Sequence, residues 1–112
     1  MVAVRQDLQA EQNGTLRFEV QVLDSGGVDP RTDLTGWTGV MQIREDRDQD
    51  AVLIAEADVT IDVPSGIVTA VIDAADLTAE WRAGEYDLVI VNGVDREPLA
   101  WGTVRFRKTV IV

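Results

Sequence analysis

The sequence predicts an all-β fold, a two-layered antiparallel β-sandwich of about seven strands with one short helix before a late strand. Three observations carry this. Apolar residues recur with period two in short runs. Turn-forming residues break those runs about every ten positions. A single stretch, "DAADLTAEWRAG" at residues 73–84, has helical character.

Composition narrows the class. The 112 residues suit one domain, residues 1–112, and 46% of them are apolar, so a packed core is expected rather than disorder. No apolar run approaches the ~18 residues of a membrane span, and no membrane association is expected. The start, "MVAVRQDLQAEQNG", has no basic or apolar leader region, so no signal peptide is expected. The chain has no cysteine and no histidine. That removes disulfides, thiolate zinc and thiol catalysis, together with the commonest general base and metal ligand. No cofactor and no metal are expected. The formal charge of -10, from 20 acidic and 10 basic residues, repels phosphate backbones, so nucleic acid is not an expected partner.

The strands follow in order. "VAVRQ" (2–6) is a short first strand. "TLRFEVQVL" (15–23) alternates, with Leu16, Phe18, Val20 and Val22 on the core face. "WTGVMQIRE" (37–45) places Trp37, Met41 and Ile43 on one side. "AVLIAEA" and "DVTIDV" are further extended pieces. "IVTAVID" (67–73) is apolar on both parities and is expected to be covered on both faces. Asp73 could cap the short helix and Gly84 could end it.

"EYDLVIVNG" and "LAWGTVRFRK" form a hairpin. With "NGVDREP" as the connection, Val91 pairs with Leu99, Val89 with Trp101, and Glu85 with Arg105. Tyr86, Leu88, Ile90 and Val104 then face the core. Val89, Val91, Leu99 and Trp101 form an outward apolar set. Either a loop or the terminal "TVIV" folds over it, or it is a subunit contact anchored by Trp101. Arg105, Arg107 and Lys108 form a basic end in an acidic chain. They either balance charge or meet an acidic face of another copy, a head-to-tail contact that builds rings.

"GEYDL" puts Tyr86 two residues before Leu88, and "TGWTGV" puts Trp37 on the third strand. This resembles the immunoglobulin arrangement of a late-strand Tyr two residues before a Cys and a Trp packed behind the disulfide, with Leu88 and Val20 or Val22 in the disulfide's place. The Tyr86 hydroxyl is expected to bond upstream backbone, and Trp37 to be a core aromatic.

A closer resemblance covers residues 33–106. "DLTGWTGVMQIRED", "SGIVTAVIDAADLTAEWRAGEYDLVIVNG" and "PLAWGTVRF" are similar, in order and spacing, to the N-terminal immunoglobulin-like domain of phage upper baseplate (BppU-type) proteins and to related small tail and virion proteins of long-tailed phages. The resemblance implies a non-enzymatic virion structural protein. It would be assembled in the host cytoplasm and docked to other virion proteins or to copies of itself, as a trimer or hexamer. A free-standing adaptor or decoration subunit is expected. A capsid decoration or head–tail completion protein, or a protein- or carbohydrate-binding sandwich outside any virion, are the alternatives.

Hidden chemistry finds little support. "EDRDQD" (45–50) has acids at 46, 48 and 50 like the start of a calcium loop, but Ala51 and Ala57 stand where Gly and Glu are required. Ser25 and Ser65 have no histidine to activate them, and no phosphate-binding glycine motif is present.

Overall fold

A computed structural model of the protein describes residues 3–11, 13–23, 27, 29–48, 50–77 and 83–107; Lys108, "TVIV" and Trp81 lie outside the described residues. Among these residues nine strands form: β1 (Val4–Arg5), β2 (Leu8–Glu11), β3 (Leu16–Gln21), β4 (Thr38–Arg44), β5 (Leu53–Glu56), β6 (Asp58–Asp62), β7 (Ile67–Ile72), β8 (Ala83–Asn92) and β9 (Asp95–Arg107). The larger sheet has the order β1-β9-β8-β4-β5, with β2 also on β9, and the smaller is β3-β7-β6. The N-terminal segment supplies two strands where one was expected. Both run parallel to β9, an exception to the antiparallel expectation.

Alternation builds the core. Leu16, Phe18, Val68, Ala70 and Ile72 from the smaller sheet, with Val22 just past β3, meet Met41, Ile43, Tyr86, Leu88, Ile90 and Val104 from the larger, all buried. Val20 and Trp37 are half-buried and pack against this cluster. Phe18 and Tyr86 join the two layers edge to face, with centroids 5.8 Å apart. Such a pair contributes about 0.5–1.5 kcal/mol beyond burial.

Two expectations are corrected here. Ile67, Thr69 and Val71 lie on the outer side of β7 and are half-buried beside β3 and β6, with no further layer over them among the described residues. A β-branched run suits the middle strand of a sheet, so its apolar character on both parities does not require a cover. The expected helix over 73–84 is described as a 3₁₀ turn at Ala74–Asp76, where Asp73 makes no side-chain cap. Gly84 does not end a helix but lies buried in β8. The segment 78–82 lies outside the described residues.

The hairpin register also differs. Asn92 pairs with Asp95 around a two-residue turn, Gly93–Val94. Gly93 has φ +60° and Val94 is not in the positive-φ region, as in a turn with Gly at its first central position. The charged "DRE" is therefore strand rather than loop. Val91 pairs with Arg96, Ile90 with Glu97 and Val89 with Pro98; after a bulge, Leu88 pairs with Ala100, Asp87 with Trp101 and Glu85 with Thr103. Arg105 sits opposite Ala83, not Glu85. Glu97 is held by Arg31, whose guanidinium donates to it at 2.7 Å and to Asp33 at 2.5 Å, and lies 5.3 Å from the Trp37 ring centroid.

At Gln6 and Asp7 the N-terminal segment leaves the ladder. The Gln6 N–H donates to Trp101 O at 2.8 Å, as a parallel strand should. Its carbonyl instead accepts the Tyr86 hydroxyl at 2.6 Å. The Thr103 N–H, which that carbonyl would otherwise take, donates to Asp7 Oδ1 at 3.1 Å. This bond holds the Asp7 carboxyl below its usual range, against burial and with help from Arg5. Gly102 makes room: a Cβ there would meet Gln6 O at 2.5 Å.

Gly102→Ala is therefore expected to destabilise the domain by about 1–3 kcal/mol in urea unfolding. Tyr86→Phe leaves the Gln6 carbonyl without its donor and should cost about 1–3 kcal/mol by the same measurement. Burial, then the Asp7 and Asp87 charges, push the Tyr86 phenol up to about 12 from 10.0. The folded state prefers the protonated phenol. Its stabilisation is thus complete below pH 10.0 and lost as the pH rises towards about 12. Wild type should lose stability across that window, and Tyr86→Phe should lose less.

Candidate functional site on the outer face of the larger sheet

Residues of odd parity on β8 face away from the core. They line up with neighbours in cross-strand rows: Arg44, Glu85 and Thr103; Gln42, Asp87, Trp101 and Arg5; Val40, Val89 and Pro98. Trp101 sits near the centre of this face, half-buried. The Arg5 guanidinium carbon lies 5.3 Å from its ring centroid and that of Arg47 5.0 Å. Arg5 arrives on β1. Arg47 arrives from the charged turn after β4, and its placement is set by two carboxylates of β8, with Asp87 accepting at 2.6 Å and Glu85 at 3.4 Å. Burial alone would lower the Arg47 pKa; Asp87 and then Glu85 outweigh it and raise it. Thr103 Oγ1 donates to Glu85 at 3.1 Å, which orients that carboxylate.

The expected interface residues are only partly brought together. Val91 and Trp101 are on this face and half-buried. Val89 is on it but only 6% exposed, lining a hollow with Val40, Arg47 and Arg96. Leu99 is not on it. It is the extra residue of the bulge, 3% exposed and part of the core cluster. Arg105 and Arg107 lie exposed further along β9, Arg107 at 3.9 Å from Glu11, and Lys108 is outside the described residues. The apolar patch expected from pattern alone is thus reduced, and Arg47 reaches over part of it from the turn; "TVIV" lies outside the described residues.

The sequence pattern did not single out Arg5, Arg47 or Asp87, and 45–50 was weighed only as a calcium loop. The signal available was a single Arg inside an acidic turn, one hairpin away from two acids on alternate positions of β8. In that turn, Asp46 accepts the Arg47 N–H and Asp48 the Asp50 N–H, so these carboxylates serve the turn itself. No cluster of three metal-ligating side chains occurs among the described residues.

The hollow measures about 120 Å³. That is room for about four waters and far below the ~300 Å³ of a small-molecule pocket. The arrangement offers recognition chemistry: a Trp ring, guanidinium forks and carboxylates on a sheet face, the residue types that dominate protein–protein contacts.

No protein-family model and no curated protein matches the chain. Among solved structures it is similar to the tandem Ig repeats of Dlar, at 17% identity and a TM-score of 0.53, over 100% of this chain and 49% of that one. It is also similar to the N-terminal Ig1-2 module of the Drosophila receptor protein tyrosine phosphatase DLAR, at 18% identity and a TM-score of 0.49, over 94% of this chain and 46% of that one. The chain spans about half the length of each. At this identity the likeness speaks to fold alone, and with the two packed sheets it makes the chain an immunoglobulin-like β-sandwich.

Arg47→Ala should uncover Trp101. In a Trp37→Phe, Trp81→Phe background, Trp101 emission should shift to the red and acrylamide quenching should rise. Stability should change by only about 1 kcal/mol or less, because the ion pairs are largely solvated.

Proposed function

We propose that this chain is a non-enzymatic assembly module that docks to other protein subunits through the Trp101 face. On the resemblance of residues 33–106 to the upper baseplate domain, we place it as a small tail or baseplate subunit of a long-tailed phage virion. The observation that carries the docking role is the clustering of Trp101, Arg5 and Arg47 on the outer face of the larger sheet. Trp and Arg are the side chains that most often anchor such contacts. The glutamate and aspartate beneath Arg47 hold it at the surface in one geometry, which lowers the ordering cost of a contact made there.

The virion reading rests on the sequence resemblance, and the docking reading on the face; they are tested apart. Gold-labelled antibody to this chain should decorate the tail end of negatively stained particles. Label on the head would favour the decoration or completion role, and no label on any particle would remove the virion reading. For the docking face, Trp101→Ala should fold and yet be incorporated into particles at least about tenfold less than wild type, the effect of losing an anchor of ~2 kcal/mol. Incorporation at the wild-type level would exclude this face.

A further inference from the structure

The smaller sheet has an outer face of its own. It presents three cross-strand rows: Arg17, Val71 and Asp58; Glu19, Thr69 and Thr60; Gln21, Ile67 and Asp62. The β3 and β6 members are exposed and the β7 members half-buried. A β-branched stripe therefore runs along the middle. Arg17 stands at one margin, donating to Glu19 at 3.0 Å, and two aspartates stand at the other. The third row is braced: Gln21 donates to Ser65 O at 3.1 Å, and the Ser65 hydroxyl donates to the Asp62 carboxylate.

We propose that this face packs against the same face of a second copy of this chain, about a two-fold axis running along the strand direction. Charge selects the axis. With the axis along the strands, β3 of one copy lies over β6 of the other at the same level. Arg17 then meets the second copy's Asp58, twice by symmetry, while Glu19 meets Thr60 and Gln21 meets Asp62. Val71, Thr69 and Ile67 lie on their own equivalents. No like charges within the three rows oppose each other. With the axis across the strands, β3 would lie on β3, setting Glu19 on Glu19, and β6 on β6, setting Asp58 on Asp62. Like-charge contacts of that kind are strongly disfavoured.

Sheets pack face to face about 10 Å apart at roughly 30°, and an arginine is long enough to follow the resulting displacement of the corners. At ~4.8 Å between strands and ~3.3 Å per residue, the patch is about 14 by 20 Å. That is well short of the ~800 Å² per partner of a stable complex, so the dimer is weak. The face lies on the opposite side of the sandwich from Trp101, so the contact stands independently of the proposed docking role and leaves that face open.

Sedimentation equilibrium of the purified chain up to about 1 mM tests this, in the range where weak dimers populate. Wild type should show a monomer–dimer equilibrium. Arg17→Glu should weaken it roughly tenfold or more, and the Arg17→Glu/Asp58→Arg charge swap should restore it to within about threefold of wild type. A wild type that stays monomeric, a dimer indifferent to Arg17→Glu, or a swap that does not recover would each overturn the proposal. Dilution of the wild-type protein, followed by amide NMR shifts, needs no variant to fold. The shifts should move at Arg17, Thr69 and Asp58 and stay fixed at Trp101, and the reverse pattern would assign self-association to the Trp101 face instead.

Discussion

The structure turns on one exchange of hydrogen bonds. A parallel strand beside β9 would give its Gln6 carbonyl to the Thr103 N–H. Here the Tyr86 hydroxyl takes that carbonyl from inside the sandwich, and the Asp7 side chain takes the N–H from outside. Neither peptide group is left unpaired, which is the condition for diverting a carbonyl inward. Tyr86 can be wholly buried because its one polar atom has this partner, and its ring can then meet Phe18 across the layers. The exchange requires Gly102, since any Cβ would occupy the place of the Gln6 carbonyl. One tyrosine thereby ties the N-terminal segment, both sheets and the last strand together.

The outer face inherits its order from the same point. Val4–Arg5 before the kink and Leu8–Glu11 after it keep the same offset along β9. The kink therefore changes the bonding without slipping the register, and Arg5 stays opposite Trp101. On the other flank, Arg47 comes from a turn whose flanking strands belong to the same sheet, so its reach to Asp87 crosses only β4 and β8. Two arginines far apart in sequence converge on one ring because the order β1-β9-β8-β4 brings both ends to it. Each arm brings a guanidinium to the ring, so the cover over Trp101 is polar.

Much of the core was legible. Phe18, Val22, Met41, Ile43, Tyr86, Leu88, Ile90 and Val104 follow from period-two patterning, and all are buried. Leu34 and Leu77 are as deeply buried, at 0% and 2% exposure, but lie in connections where no period marks them. The strand β2 was hidden because "DLQAE" is mostly polar; only Leu8 and Ala10 turn inward, and parallel pairing to β9 is a long-range event with no local turn to announce it. The interface residues were the least legible. Matching apolar to apolar across the hairpin placed Val91 on Leu99, whereas the two-residue turn puts Arg96 there, made tolerable by Arg31 drawing the neighbouring Glu97 to the sheet's end. Ion pairs between distant segments, such as Arg47 with Asp87, leave almost no trace in a single sequence.

The bulge at Leu99 sets the phase of the last strand. It lets Leu99 and Ala100 both turn inward in succession, so the residues after it fall on the opposite parity to those before it. Straightening the bulge with Leu99 still in the chain would leave every side chain chemically intact and yet invert one arm of the hairpin. Either Trp101 and Arg105 would swing into the core as Gly102 and Val104 swung out, or Glu97 would lose its place beside Arg31. The domain should therefore resist an added residue along β9, which flips one arm, more than the loss of Leu99 itself, which keeps every neighbour on its face and removes one buried leucine. Across homologous chains, insertions between Gly93 and Gly102 should accordingly be rarer than loss of the bulged residue.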